Sequence, residues 1–208
     1  SFLILLLAMG KREAKDVIKA VIFDFGGVLM RTVNPLPRRE LEQRFGMQPG
    51  DVYKVVFGSP LWDEALLGRV STTSFWADVG RQLELNDSEL VEFRRVFWSG
   101  DRLDEELVAL IHDLRDAGYR TAMLSNAPAD LCQIVEQLMG ITGAFDGFDT
   151  LIVSGCEGLM KPDPAIYELA LERLGVTAEE TVFVDDSRVN VAAARQIGFH
   201  ATRFRGLS

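Results

Sequence analysis

Short apolar runs alternate with longer amphipathic stretches over most of this chain. Val21-Ile22-Phe23 lies within Lys19–Phe25 and is bounded by Gly26-Gly27, the pattern of a strand buried on both faces. Tyr119–Ser125, Thr150–Ser154 and Thr181–Asp185 have the same character, and His200–Phe204 adds one more short strand. Between them, Leu107, Leu110, Ile111 and Leu114 recur at helical spacing over Asp104–Ala117, with Gly118 as the stop. Pro128–Met139 predicts a helix whose first turn tolerates proline, and Pro164–Leu174 and Val189–Ile197 complete the alternation. Strand and helix in regular succession imply right-handed crossovers. The predicted fold class is α/β, a mainly parallel sheet with helices on both faces.

Residues 32–100 break that rhythm. Leu36, Leu41 and Phe45 predict one helix, Val52, Val55, Val56 and Phe57 a second, and Leu61, Trp62, Ala65 and Leu66 a third before Gly68. Ser71 caps another that carries Phe75, Trp76 and Val79, and Ser88–Trp98 closes the set. An all-helical insertion directly after the first strand would stand over the carboxyl edge of the sheet as a cap or lid. The chain therefore divides into an α/β core of residues 17–31 and 101–208, a helical cap of residues 32–100 and an apolar, then basic, extension of residues 1–16. Phe45, Phe57, Phe75 and Phe93 are expected in the cap's own core. Trp62, between Pro60 and Asp63, is expected to face a substrate cavity instead.

Charge narrows the partners. Lysine and arginine total 22 against 31 aspartates and glutamates, a formal charge of −9, so polyanionic surfaces would be repelled and nucleic acid is not an expected partner. A small phosphorylated metabolite, neutralised locally, is compatible with the same balance. Cys132 and Cys156 have no CxxC spacing and read as ordinary thiols of a reducing, cytoplasmic compartment. The apolar stretch Phe2–Met9 is far below the roughly 20 residues that span a bilayer, and Lys11, Arg12 and Lys15 follow it where a secretory signal would place them before. No membrane association is expected, and a monomer and a homodimer are both compatible with this segment.

The candidate chemistry sits where the strands end. Asp24 follows the first apolar run, Ser125-Asn126 ends the second strand, and Asp185-Asp186 ends the run Thr181-Val182-Phe183-Val184. Open α/β sheets bind ligands outside these carboxyl ends. A carboxylate is ionised near neutral pH and can attack phosphorus without prior deprotonation, but it is repelled by a phosphate. Mg²⁺ held by Asp24, Asp186 and the backbone carbonyl of Gly26 would screen that repulsion with the oxygen ligands this ion requires. Lys161, in the loop Gly158-Leu159-Met160-Lys161-Pro162, would balance Asp24 and be held by Asp185, while Ser125 and Asn126 would receive phosphate oxygens. Trp62 and Arg69 are the expected cap contacts to the organic part of the substrate.

In this order the motifs resemble the haloacid-dehalogenase-like hydrolase superfamily. Asp24-Phe25-Gly26-Gly27-Val28 is similar to its first motif, Ser125 to its second, Lys161 to its third, and Asp185-Asp186-Ser187-Arg188-Val189-Asn190 to its fourth. The cap, inserted between the first and second motifs, resembles the helical cap of the first subfamily. The resemblance implies a Rossmann-like three-layer core, Mg²⁺ as cofactor, an aspartyl-phosphate intermediate on Asp24, and catalytic roles for Ser125, Lys161 and Asp185. Trp62–Ser71 resembles the sugar-phosphate phosphatases of that branch, which implies a sugar phosphate as substrate.

One position departs from the phosphatase pattern. Two residues after the nucleophile these enzymes carry an aspartate that protonates the leaving group, and here that position is Gly26. Losing general acid–base assistance costs roughly 10²–10⁴-fold. Asp63 or Glu64 of the cap is an expected substitute. Two other functions follow if neither serves: a catalytically weak phosphate-ester binding or regulatory protein, and a 2-haloacid dehalogenase, a reaction that resembling enzymes perform without that aspartate and without a metal.

Overall fold

The computed structural model describes residues 18–139, 143 and 145–206, and the apolar N-terminal segment lies outside them. Strands β1 (Ala20–Phe23), β4 (Arg120–Ser125), β5 (Thr150–Val153), β6 (Thr181–Asp185) and β7 (His200–Arg203) form one parallel sheet in the order β5-β4-β1-β6-β7. Alternation along β1 divides the core into two layers. Val21 and Phe23 face Leu107, Ile111 and Leu114 of α6 (Glu105–Asp116) and Leu131 and Val135 of α7 (Leu131–Met139). Ala20 and Ile22 face Ile166, Tyr167, Ala170 and Leu174 of α9 (Pro164–Leu174) and Val191 and Ala194 of α10 (Arg188–Ile197). Both faces of β1 are fully buried, as a continuous apolar run requires. The α/β class expected from the alternation is the one observed, with the three-layer, Rossmann-like arrangement that the resemblance implies.

Five helices lie between β2 (Met30–Thr32) and β3 (Asp101–Leu103): α1 (Leu36–Arg44), α2 (Asp51–Phe57), α3 (Pro60–Leu66), α4 (Thr72–Gln82) and α5 (Asp87–Trp98). They bury a core of their own around Val52, Val56, Phe75, Trp76, Val79, Phe93 and Phe97. Phe45 and Phe57 pack against it only partly buried, so two of the four expected core phenylalanines lie at its margin. Ser71 caps α4 by accepting from the Ser74 N–H, and Asn86 and Glu89 close a capping box on α5.

Three features depart from the periodic reading. β2 and β3 pair antiparallel, Thr32 opposite Asp101, as a ribbon through which the chain leaves and re-enters the core. Strands of three residues are too short for a period to register. Helix α7 starts at Leu131 rather than Pro128, because Pro128 and Asp130 are used to receive the Leu131 and Ile134 N–H groups of its first turn. Ser154, expected at the end of a strand, opens the one-turn helix α8 (Ser154–Glu157), and its hydroxyl bridges the N–H and carbonyl of Ala127.

Close backbone passage fastens the helical module to the core at Gly68 and draws the module's own two ends together at Gly100. A Cβ on Gly68, which has φ +69°, would stand 2.1 Å from the Gly155 carbonyl oxygen, and one on Gly100 would stand 2.0 Å from that of Asn34. Glycine is required at both approaches. Val33 and Asn34 both donate to the Gly100 carbonyl at 3.0 Å, and Thr72 donates to Asp130 at 2.5 Å.

Candidate active site

Register brings the carboxylates together. Phe23 is level with Met123 of β4 and Val184 of β6, so the next residues along the three strands are Asp24, Leu124 and Asp185. The Asp24 N–H continues the ladder to the Val184 carbonyl at 2.8 Å. Gly27, at φ +80°, turns the chain directly beneath Asp186: a Cβ there would lie 2.4 Å from the Asp186 Oδ2. One oxygen each from Asp24, Asp185 and Asp186 falls within a span of 4.8 Å.

Lys161 enters this cluster from the loop before α9 and is 2% exposed. Its Nζ donates to Asp24 Oδ1 at 2.8 Å, to Asp185 Oδ2 at 2.7 Å and to the Leu124 carbonyl at 2.7 Å, which uses all three ammonium hydrogens. Asp185, fully buried, also accepts from the Ser187 N–H at 2.7 Å and from the Asn190 side chain at 3.0 Å. Asn126 holds the Lys161 backbone from both sides, its Oδ1 accepting from the Lys161 N–H and its Nδ2 donating to the Lys161 carbonyl, each at 2.8 Å.

Burial shapes the charges. Desolvation pushes the Asp24 carboxyl up to about 6; Lys161 beside it works in the opposite direction, and Asp185 adds like-charge repulsion. Burial also works against the Lys161 ammonium, but Asp24 and Asp185 outweigh it and hold the group above the ordinary lysine range. Asp186 is raised by partial desolvation and by Asp185, with Lys161 opposing. Three carboxylates against one ammonium leave two negative charges, the complement of one divalent cation. All the donors are oxygens, the ligand type that Mg²⁺ demands, so the cluster fits such an ion.

A cavity of about 710 Å³ opens above the cluster, between the sheet edge and the helical module. Asp24, Gly26, Ser125, Asn126, Lys161 and Asp186 line its floor, and Trp62 lines it from α3 as the sequence leads one to expect. Arg69 does not line it. This residue is exposed and paired with Glu64 at 3.3 Å. Neither Asp63 nor Glu64 lines the cavity, and its carboxylates among the described residues are Asp24, Asp186 and Asp101. Asp101 is ion-paired with Arg38 at 2.6 Å. Sequence reasoning missed Arg38 and Asp101, which lie 63 residues apart and have no periodic relation.

The sequence matches the model of the haloacid dehalogenase-like hydrolases over residues 18–198. The sesquiterpene phosphatase astK of Aspergillus oryzae is 32% identical over 180 residues, 86% of this chain and 86% of that protein. An (S)-2-haloacid dehalogenase of Xanthobacter autotrophicus is 30% identical over 204 residues, 92% of this chain and 77% of that enzyme. A HAD family enzyme of Bacteroides thetaiotaomicron, solved with magnesium and inorganic phosphate, shares the fold at a TM-score of 0.75 and 20% identity, over 90% of this chain and 94% of that one. With its motifs in order on one sheet edge and a family match along nearly its whole length, this chain belongs to the haloacid dehalogenase-like hydrolases.

Proposed function

We propose that the protein is a Mg²⁺-dependent phosphomonoester hydrolase with Asp24 as nucleophile and a small phosphorylated metabolite as substrate. The observation that carries this reading is the surplus of two negative charges where Asp24, Asp185 and Asp186 meet around Lys161. A reaction without a metal would leave these carboxylates repelling one another. Asp24, Asp186 and the Gly26 carbonyl would hold Mg²⁺, which when bound supplies positive charge beside the attacking carboxylate and polarises a phosphate oxygen. The phosphatase among the similar chains supports the same reaction class.

The chain's own residues divide the work. A carboxylate oxygen of Asp24 attacks phosphorus, the ester P–O bond breaks, and the departing alkoxide takes its proton from water, since Gly26 has none to give. Water then attacks phosphorus in the aspartyl phosphate, releasing inorganic phosphate and restoring Asp24. Lys161 neutralises Asp24 from below, and Asp185 with Asn126 fixes the lysine. The Ser125 hydroxyl, without a hydrogen-bond partner among the described residues, is free to donate to a phosphate oxygen. The helices of residues 32–100 act as the cap that closes over the ester.

Para-nitrophenyl phosphate is the appropriate first substrate, because its leaving group departs without an acid. Phosphate release is expected with Mg²⁺, to be abolished by chelator and to fall at least about 10⁴-fold in Asp24→Asn. Equal rates in the two proteins would overturn the reading. A second reading, a phosphate-ester binding protein of low activity, is favoured by the lack of a cap carboxylate in the cavity wall among the described residues. It predicts Mg²⁺-dependent binding of the ester with no turnover at any pH. Dehalogenation, which the similar dehalogenase keeps in view, predicts instead halide release from a 2-haloacid in the presence of chelator.

A further inference from the structure

The wall that faces the carboxylates is built from Phe57, Trp62, Leu66, Trp76, Trp98 and Leu131. Polar side chains do occur in the same wall: Tyr53, whose hydroxyl has no partner among the described residues, and several that are engaged with one another. Thr32 donates to Asp101 at 2.6 Å, Arg38 donates to both, and Thr72 donates to Asp130. The Arg38 guanidinium is further covered by aromatic rings, 4.5 Å from the Phe97 centroid and 5.8 Å from that of Trp98. Two buried donors stay open, Nε of Arg31 and Nε of Arg38. Each can donate to one substrate oxygen, but neither can accept a hydroxyl hydrogen.

A sugar would bring several hydroxyls into this space, and each one buried without a partner is unfavourable. A hydrocarbon group gains from the same surroundings with every methylene removed from water. The volume, about 710 Å³, is that of a pocket for a sizeable organic group. We propose that the substrate is the phosphomonoester of a lipophilic alcohol, its phosphate at Asp24 and its hydrocarbon against the aromatic wall, rather than the sugar phosphate implied by motif resemblance. The phosphate end of this inference rests on the hydrolase reading above; the apolar end rests on the cavity alone.

A homologous series of n-alkyl monophosphates, butyl to decyl and kept below their micelle concentrations, separates the two. Dissociation constants measured by calorimetry on Asp24→Asn with Mg²⁺ should tighten by about fourfold per methylene over the part of the series that enters the cavity. Wild-type kcat/KM for decyl phosphate should exceed that for glucose 6-phosphate or ribose 5-phosphate by at least about 100-fold, the yield of a few buried methylenes. Affinity that is flat with chain length, or a preference for either sugar phosphate, would overturn the lipophilic assignment while leaving phosphatase activity intact. Chain-length-dependent binding without turnover of any ester would support the lipophilic assignment and defeat the hydrolase reading. Trp62→Gln should flatten the dependence and Trp62→Leu should restore it; an unchanged slope in a folded Trp62→Gln protein would remove the hydrocarbon from this wall.

Discussion

Along the carboxyl edge of the sheet, Lys161 spends three hydrogen bonds on Asp24, Asp185 and Leu124, and Asp185 accepts from three different residues. Across the cavity lie Trp62, Trp76 and Trp98, with Phe57 in contact with Trp62 and Trp98 at centroid distances of 5.0 and 5.9 Å. The first surface needs charged atoms fixed to within tenths of an ångström, which parallel strands in register can provide. The second needs only shape and the exclusion of water, which packed aromatic side chains provide without fixing any single atom. In the proposed reading, reaction and selection reside in different layers, and each would be open to alteration separately.

The largest test of that separation is at Gly26. A Cβ built there meets nothing within 4 Å, and the residue is not among those with positive φ, so a side chain fits without strain. Gly26→Asp should raise turnover of alkyl phosphates by roughly 10²–10⁴-fold, with little gain on para-nitrophenyl phosphate. Equal gains on both substrates would show that the missing acid is not the handicap. The charge cluster comes next. Lys161→Met leaves Asp24 and Asp185 buried without compensation, and urea unfolding in chelator should reveal a loss of about 3–5 kcal/mol. A loss below 1 kcal/mol would place the stabilisation elsewhere in the core.

Smaller effects separate metal from packing. Mg²⁺ at about a hundred times its dissociation constant should stabilise the wild type by about 2.7 kcal/mol in the same unfolding experiment, and Asp186→Asn should lose most of that increment. A full increment in the variant would remove Asp186 from the metal site. Least of all, Ser71→Ala removes the α4 cap and should cost about 1 kcal/mol in the helical module, with Mg²⁺ affinity unchanged. A coupled loss of metal affinity would mean that the two layers are not independent.

The sheet is legible because β1 is wholly apolar and β4 and β6 carry the apolar runs Ala122-Met123-Leu124 and Val182-Phe183-Val184, and a carboxylate at the end of such a run has only one place to go. Lys161 had no such signal. It lies in a loop, and only the order of motifs pointed to it. The Asn126 clamp on Lys161 and the Arg38–Asp101 pair were invisible for a related reason: contacts between side chains 35 and 63 residues apart leave no period in the sequence. The aromatic residues of the helices were legible as apolar, but their allotment between core and cavity depends on helix rotation, which hydrophobicity does not encode. Arg69 illustrates the same limit, since a charge beside an expected cavity turned instead to Glu64.

The ribbon of β2 and β3 has a consequence for how such a molecule can diversify. Thr32 and Asp101 sit opposite one another, so to the sheet everything between them is a hairpin loop, whatever its length. Loop-closure entropy grows only slowly with length once the two ends are paired. The ribbon therefore sets little limit on the length of what it closes, and a different helical module inserted at this junction would need only to reproduce the approaches to Gly155 and Asp130 to leave the parallel sheet in place.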